Sequence, residues 1–372
     1  MREKLMQIRK VSPQLWIVIW LLGLSAFLVG CQQSNESTKG KITELRYQGT
    51  PGAVGLPELA EDLGYLGELK LNYVGSSQGG PENMQALMSK DVDFASAFNG
   101  AIVKLTHATR NSPNSIVAVV GSYGSDKHTW ACYCVLEDSA IQTARDLIGK
   151  KIAGNTLGAH FEFIIREWLA QQGLTQNEIK QVQLVVLPPV STEQALRQGQ
   201  IHAASMSTIL RDKAFARGGI RKLFADTDLY GEFTAGTYVF TRQFTQQHPD
   251  VVKQFVSGVG RALEWSRNNP PEVVRERLTH IIHKRGRNEN DQLIQYWNSY
   301  GVIETGGYVT AQQFQPWIDF MVKNGELKAN EITPEDIFSN EFNPFTPQNA
   351  QMTAEAKTVA YTESGIPMED KP

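Results

Sequence analysis

The sequence predicts an α/β fold built as two similar lobes. Three observations carry this. Short β-like runs alternate with helical stretches along most of the chain, which indicates a mainly parallel sheet. Text repeats at a fixed offset of 109 residues: Gln85-Ala86-Leu87 with Gln194-Ala195-Leu196, Val92 with Ile201, and Ala95-Ser96 with Ala204-Ser205. The chain has 372 residues, 41% hydrophobic and 20% charged. That is too long for one simple core and too apolar to be mostly disordered.

The first block starts with a strand at Ile42–Tyr47, the loop Gly49-Thr50-Pro51-Gly52 and a helix near Leu56–Leu63. A strand at Leu69–Val74 leads through Gly75-Ser76-Ser77-Gln78-Gly79-Gly80 into a helix over Pro81–Met88. Proline suits its first turn, where no N–H is needed. Short strands at Val92–Ala95 and Ile116–Val120 follow, the former running to Asn99-Gly100.

The second block repeats this grammar. Thr143–Ile148 is helical and stops at Gly149, a C-cap position. Lys151–Ala153 is a strand, Gly154–Gly158 a loop, and Ala159–Gln172 a helix ended by Gly173. A strand at Val182–Leu187 stops at Pro188-Pro189, Ser191-x-x-Gln194 resembles a capping box, and Ile201–Ser205 is a further strand. After a last strand at Gly236–Phe240 the chain turns helical, over Pro249–Arg267, Glu272–His283, Glu289–Ser299 and Ala311–Lys323. From Pro344 to Pro372 the tail is polar and reads as a loosely packed or strapping extension.

Residues 1–30 read as a targeting segment outside the fold. Arg2, Lys4, Arg9 and Lys10 precede a 14-residue apolar stretch, Leu15–Leu28. That is short of the roughly 20 residues that span a bilayer, so a signal peptide fits better than an anchor. Leu28-Val29-Gly30-Cys31 resembles a bacterial lipobox, with Cys31 as the lipid-bearing residue and 31–41 as a polar tether. The mature chain, 342 residues with 32 basic against 38 acidic, carries −6. It is then expected to be soluble, exported and tied by lipid to a membrane surface, facing the periplasm or the cell exterior. An acidic balance argues against broad nucleic-acid binding.

Three phrases carry a family resemblance. They are Gly49-Thr50 through Leu56-Pro57-Glu58-Leu59-Ala60-Glu61-Asp62-Leu63-Gly64, Gln85-Ala86-Leu87 through Val92-Asp93-Phe94-Ala95, and Asp146-Leu147-Ile148-Gly149-Lys150-Lys151-Ile152-Ala153 with its polar loop. Over roughly residues 42–280 the chain resembles the nitrate, aliphatic-sulfonate and taurine receptors of ABC importers, which share a fold with thiamine-pyrimidine-precursor proteins. One departure is Lys90, in a turn where that family often has Gly. The resemblance implies a two-lobed periplasmic-binding-protein type II fold with two chain crossings and a helical C-terminus. Lobe one would hold 42–121 plus 236–343 and lobe two 126–230. The crossings would lie near Gly121–Ser125 and Phe233–Gly236, Gly/Ser-bearing segments that suit a hinge. It implies a monomeric, non-catalytic receptor for a small anionic solute, working with an ABC permease and ATPase, with no cofactor or metal. The chain has no P-loop, so it is not the ATPase. A pyrimidine-precursor enzyme on the same fold and a sensory lipoprotein are the alternatives.

Ligands in α/β sheets sit off the carboxyl ends of strands. Thr50, Ser76, Ser77, Gln78, Asn99, Asn155 and Thr156 occupy such loops. A helix N-terminus beside them offers free N–H groups and positive partial charge to an anion. The same residue types also simply cap helices. His160 sits one residue into the following helix and is a further candidate donor. Tyr123 and Trp130 would supply an aromatic wall or core packing. Gly75-x-Ser77-x-Gly79 matches a nucleophile-elbow pattern but follows only the second strand, so hydrolysis is discounted. Cys132 and Cys134, two residues apart on a strand, would have Cα atoms roughly 6.5–7 Å apart. That is at the limit for a disulfide, and no third and fourth metal ligand is apparent nearby, so they read as small packed residues rather than a disulfide or a metal site. His280-x-x-His283 reads as a solvated helix face.

Overall fold

The structure is a computed structural model that describes residues 42–347. The signal segment, Cys31, the tether and the tail beyond 347 lie outside the described residues. The order is β1 (Glu44–Gly49), α1 (Leu56–Asp62), β2 (Lys70–Ser76), α2 (Gly80–Met88), β3 (Ala95–Phe98), α3 (Asn99–Thr109) and β4 (Ile116–Ser125). Then come β5 (Ala131–Leu136), β6 (Lys151–Gly154), α4 (His160–Gln171), β7 (Gln183–Val186), α5 (Pro189–Arg197), β8 (Ala203–Ser207), α6 (Thr208–Ala216) and β9 (Ile220–Ala225). The chain returns through β10 (Phe233–Thr241) and ends in α7 (Pro249–Asn268), α8 (Pro271–Lys284) and α9 (Gln315–Lys323).

One lobe holds a parallel pair, β1-β2, and a sheet ordered β3-β10-β4; the other holds a sheet ordered β7-β6-β8-β5-β9. The expected parallel sheet is therefore corrected to a mixed one. β10 runs antiparallel to β3 and β4, and β5 antiparallel to β8 and β9. The cause is the crossings: the strand that enters each lobe, β5 in one and β10 in the other, runs against its neighbours, while the leaving strands β4 and β9 run with the rest. The two crossing segments pair with each other, Phe233 opposite Ser125 and Gly236 opposite Tyr123.

The repeat is visible in the structure. α2 and α5 are each nine residues long and start 109 positions apart, as do α3 and α6. Sequence patterning missed α3, α6 and β9, and of β5 it placed only Cys132–Cys134 on a strand. It also placed a helix at Glu289–Ser299, where only a short 3-10 turn forms, Ile294–Tyr296. There the side chain of Glu289 is committed to Gly52, 237 residues away, and that of Asp291 to His283 at the end of α8, and these contacts override propensity. The proposed capping box at Ser191 is also corrected. α5 starts earlier, at Pro189 after Pro188, so Ser191 lies inside the first turn.

α4 shows how pattern becomes packing. Phe161, Ile164, Ile165, Trp168 and Leu169 fall on one buried face. Gly173 ends it at φ 81°, a left-handed conformation that glycine adopts without strain. The buried face joins a core cluster that also contains Ala97, Phe98 and Ile102 of the first lobe and Trp317 of α9. The lobes thus share a core behind the crossings.

Cys132 and Cys134 are joined as a disulfide, with Cα atoms 5.9 Å apart. This corrects the reading of two merely packed residues. The Cα separation is shorter than that of a fully extended pleat and lies inside the disulfide range. The β5/β9 register shifts between Tyr133 and Cys134, so the strand is locally irregular at that point. Both cysteines are fully buried. The start of the expected tail is packed as well: the Phe345 ring lies against Gly260 and Gly306.

Candidate functional site

The loops at the carboxyl ends of the strands meet between the lobes. Gly49 pairs with Ser76, and Ser77 donates its N–H to Gly49 O at 3.1 Å, so the first two loops adjoin. Thr50, Ser76 and Gln78 are exposed, while Ser77 is buried. From the other lobe, Asn155 Nδ2 donates to Gln78 O at 3.3 Å. A Cβ on Gly79 would stand 2.8 Å from that same nitrogen and 3.3 Å from the Thr156 methyl. Glycine at 79 is what lets the loops close so tightly. Gln78, Asn155 and Thr156 are therefore brought together across the lobes.

Two candidates are placed differently. Asn99 has no exposed surface. Its amide donates to Thr234 O and Gln313 O at 3.0 and 3.3 Å and accepts from Thr237 Oγ1 at 3.2 Å. It is an internal tie between α3, β10 and the C-terminal layer. Its offset partner, Thr208, adopts φ 42° at the start of α6, an uncommon conformation for a β-branched residue. His160 stacks on Phe98, with centroids 4.9 Å apart, and its Nε2 lies 3.3 Å from Asp226 Oδ2. Asp226 is fully buried and also accepts from Ser125 Oγ at 2.6 Å, Thr227 N at 2.8 Å and Ala131 N at 3.1 Å. One carboxylate thus ties the first crossing and the start of β5 to the first residue of α4. Nothing in the local sequence pattern marked it.

The aromatic candidates belong to the frame. The Arg211 guanidinium lies 3.8 Å from the Trp130 ring centroid and covers that face. The Tyr123 ring packs over Gly236, and burial, aided by Asp226, pushes its hydroxyl pKa up. The two helix histidines also have charged neighbours. His283 lies 2.9 Å from Asp291, and Asp62, whose carboxyl is lowered against the cost of burial by Lys284 and Arg277, has His280 as a lesser neighbour.

A feature missed in the sequence concerns the helix ends. At α1, α2 and α4 the third helical residue is glutamate. Glu58 accepts from Gly55 N at 3.0 Å, Glu82 from Gln78 N at 2.8 Å and Glu162 from Gly158 N at 2.8 Å. Pro57 and Pro81 remove one further donor each. At α1 the glutamate satisfies the N-cap N–H itself, whereas at α2 and α4 it holds the N–H of the residue before the N-cap and so fixes the loop leading in. The signal was present as the phrase x-Pro-Glu at 56–58 and again at 80–82.

Comparison with known proteins places this architecture. The family model described as NMT1/THI5 like matches residues 59–273. The chain belongs to the NMT1/THI5-like family. No curated protein sequence matches it. Among solved structures it is similar to the alkanesulfonate-binding protein SsuA from Xanthomonas axonopodis pv. citri bound to MOPS, with 18% identity and a TM-score of 0.60 over 81% of this chain and 99% of that one. It is similar to the periplasmic nitrate-binding protein NrtA from Synechocystis PCC 6803, with 14% identity and a TM-score of 0.63 over 86% and 90%. It is also similar to the desulfurization enzyme DSZB, with 14% identity and a TM-score of 0.54 over 84% and 99%. At these identities the likeness shows the fold. NMT1/THI5-like membership and the mixed sheets establish a periplasmic-binding-protein fold with a helical C-terminal region.

Proposed function

We propose that this protein is an extracytoplasmic receptor that binds a small anionic solute of the sulfonate, taurine or nitrate type between its lobes and delivers it to an ABC permease and ATPase. The observation that carries this is the meeting of Gln78 with Asn155 and Thr156, donor-bearing loops from opposite lobes. Only a closed form has both sets of contacts, so a bridging ligand favours closure. The structural likeness to sulfonate- and nitrate-binding proteins supports the reading. The lobes would comprise 42–121 with 236–343, and 126–230, moving about the two crossings. Cys31 would carry the lipid that holds the protein at the membrane.

A thermal-shift screen of the full chain in detergent tests this against taurine, aliphatic sulfonates, nitrate, bicarbonate and pyrimidines. A ligand at 100 times its Kd stabilises by about 2.7 kcal/mol. A shift with sulfonates or nitrate is expected. A shift with pyrimidines alone would favour an enzyme of pyrimidine-precursor chemistry on the same fold; the likeness to DSZB, a desulfurization enzyme, supports only that this fold also serves enzymes. Lipid labelling that persists in Cys31→Ser would remove the anchor from the proposal.

A further inference from the structure

Four consecutive residues of the first cleft loop are each held by a side chain. Gly52 N–H donates to Glu289 Oε2 at 2.6 Å, and Ala53 O accepts from Arg285 Nη2 at 2.9 Å. Val54 O accepts from the Tyr300 hydroxyl at 3.1 Å, and Gly55 N–H donates to Glu58 Oε2 at 3.0 Å. Three of these four side chains come from residues 285–300, beyond the region 59–273 that matches the family.

The side chains form a closed network. Arg285 also donates to Glu58 Oε1 at 2.9 Å and to Glu289. Arg287 donates to Glu58 Oε1 at 3.0 Å and to the Tyr47 hydroxyl at 2.6 Å. Its guanidinium lies 3.6 Å from the Tyr73 ring centroid, next to the second cleft loop. The side chains of Glu58, Arg285 and Glu289 are 9% exposed or less. Two cations face two carboxylates, so each buried charge has a partner. Fixing the backbone of a loop costs conformational entropy. Charge-assisted bonds to the loop backbone are suited to offset that, and they leave the loop one shape.

We propose that Arg285, Glu289 and Tyr300 are positioning residues that hold loop 50–55 in its ligand-receiving shape, so that the C-terminal layer decides which solutes the first loop admits. The proposal rests on the receptor reading of the cleft. Supporting side chains that lock a site from behind set its precision as much as the groups that touch ligand.

The test uses the full chain in detergent, with Glu289→Ala, Glu289→Gln and Tyr300→Phe. The first measurement is hydrogen exchange without ligand. Peptides covering 50–56 should exchange at least tenfold faster in Glu289→Ala and Tyr300→Phe, while β4 stays protected. Glu289→Gln keeps an acceptor for Gly52 and should restore most of the protection. The second measurement is affinity for taurine, methanesulfonate and nitrate. Whichever probe the wild type binds should bind about tenfold more weakly in Glu289→Ala, and the order among probes should change. Unchanged exchange in the loop overturns the proposal. Equal loosening of β4 overturns it too, because the network would then hold the fold rather than the loop. A loosened loop with unchanged affinities removes its role in selection. If the wild type binds none of the three probes, the receptor reading falls for these solutes, and exchange still decides whether the loop is positioned from behind.

Discussion

At the scale of single residues, Thr156 and the Cys132–Cys134 pair make opposite demands on an experiment. Thr156 is half-buried at the meeting of the lobes, and its hydroxyl has only a 3.5 Å contact with Leu157 O. It caps no helix, because α4 begins four residues later. Thr156→Ala should therefore leave the melting temperature almost unchanged. A bond from its hydroxyl to a charged ligand contributes about 1.5–3 kcal/mol, so affinity should fall roughly ten- to a hundredfold. Titration of the variant with the best solute from the screen checks this, and unchanged affinity places the anion elsewhere. The disulfide behaves differently because it closes a loop of three residues. Loop-closure entropy for so short a loop is about 1.6 kcal/mol. Replacing both cysteines with alanine should lower the unfolding free energy by about 2 kcal/mol, with a small packing loss included, and leave ligand affinity unchanged. Denaturant midpoints measure it, and a loss above about 4 kcal/mol would mean the pair does more than close the loop.

At the scale of elements, carboxylates that secure short turns set the acid response. Glu178 is held down to about 2 by the Thr175 N–H, then the Thr175 hydroxyl and Arg145. Glu331 is held at about 2 by the Lys328 N–H and then by His107 and Arg110. Both lie below their ordinary value of 4.5. A carboxyl whose folded pKa is depressed adds stability that is complete above its unfolded pKa and is lost as pH falls through the folded one. Stability should therefore decline from about pH 4.5 toward pH 2, and the double variant Glu178→Gln, Glu331→Gln should flatten that decline. Superimposable curves for variant and wild type would reject this assignment. Elements also show what could be read in advance. α1, α2, α4, α7 and α8 were legible because Pro, Gly and apolar spacing mark their ends and faces. β9 was not, and β5 only at its two cysteines, since neither carries clean alternation and each is defined by its partners. At the site, the loops holding Gln78, Asn155 and Thr156 could be placed from strand ends alone. Asn99 could not, because the same residue at a strand end serves equally as a buried tie, and only burial separates the two. Asp226 and the Glu289 brace depend on contacts across 66 to 237 residues, beyond the reach of local pattern.

At the scale of the whole molecule, the C-terminal layer joins what the crossings separate. The Trp317 ring of α9 is 1% exposed. Its ring centroid lies 4.6 Å from Phe98 of the first lobe, 6.3 Å from Phe163 of the second and 5.0 Å from Tyr230 near the second crossing. Polar ties follow the same path. Ser299 Oγ donates to Asp126 at 2.7 Å, Asn298 to Asp212 at 3.1 Å, and Gln176 to Asn324 at 3.2 Å. Two lobes joined only by crossings would unfold in separate steps, as multidomain chains commonly do. Lobes that share a buried indole lose a common core when either one opens. The wild-type chain should therefore show a single calorimetric transition, with calorimetric and van't Hoff enthalpies equal. Trp317→Ala removes a buried aromatic, which costs about 3–5 kcal/mol. It should also split the transition in two, because the cavity lies where the lobes meet. A milder Trp317→Phe keeps most of the ring contacts and should lower the midpoint while preserving one transition. Two transitions in the wild type would show that the lobes are energetically independent despite their shared core. One transition in Trp317→Ala would move the coupling to the polar ties at Ser299 and Asn298.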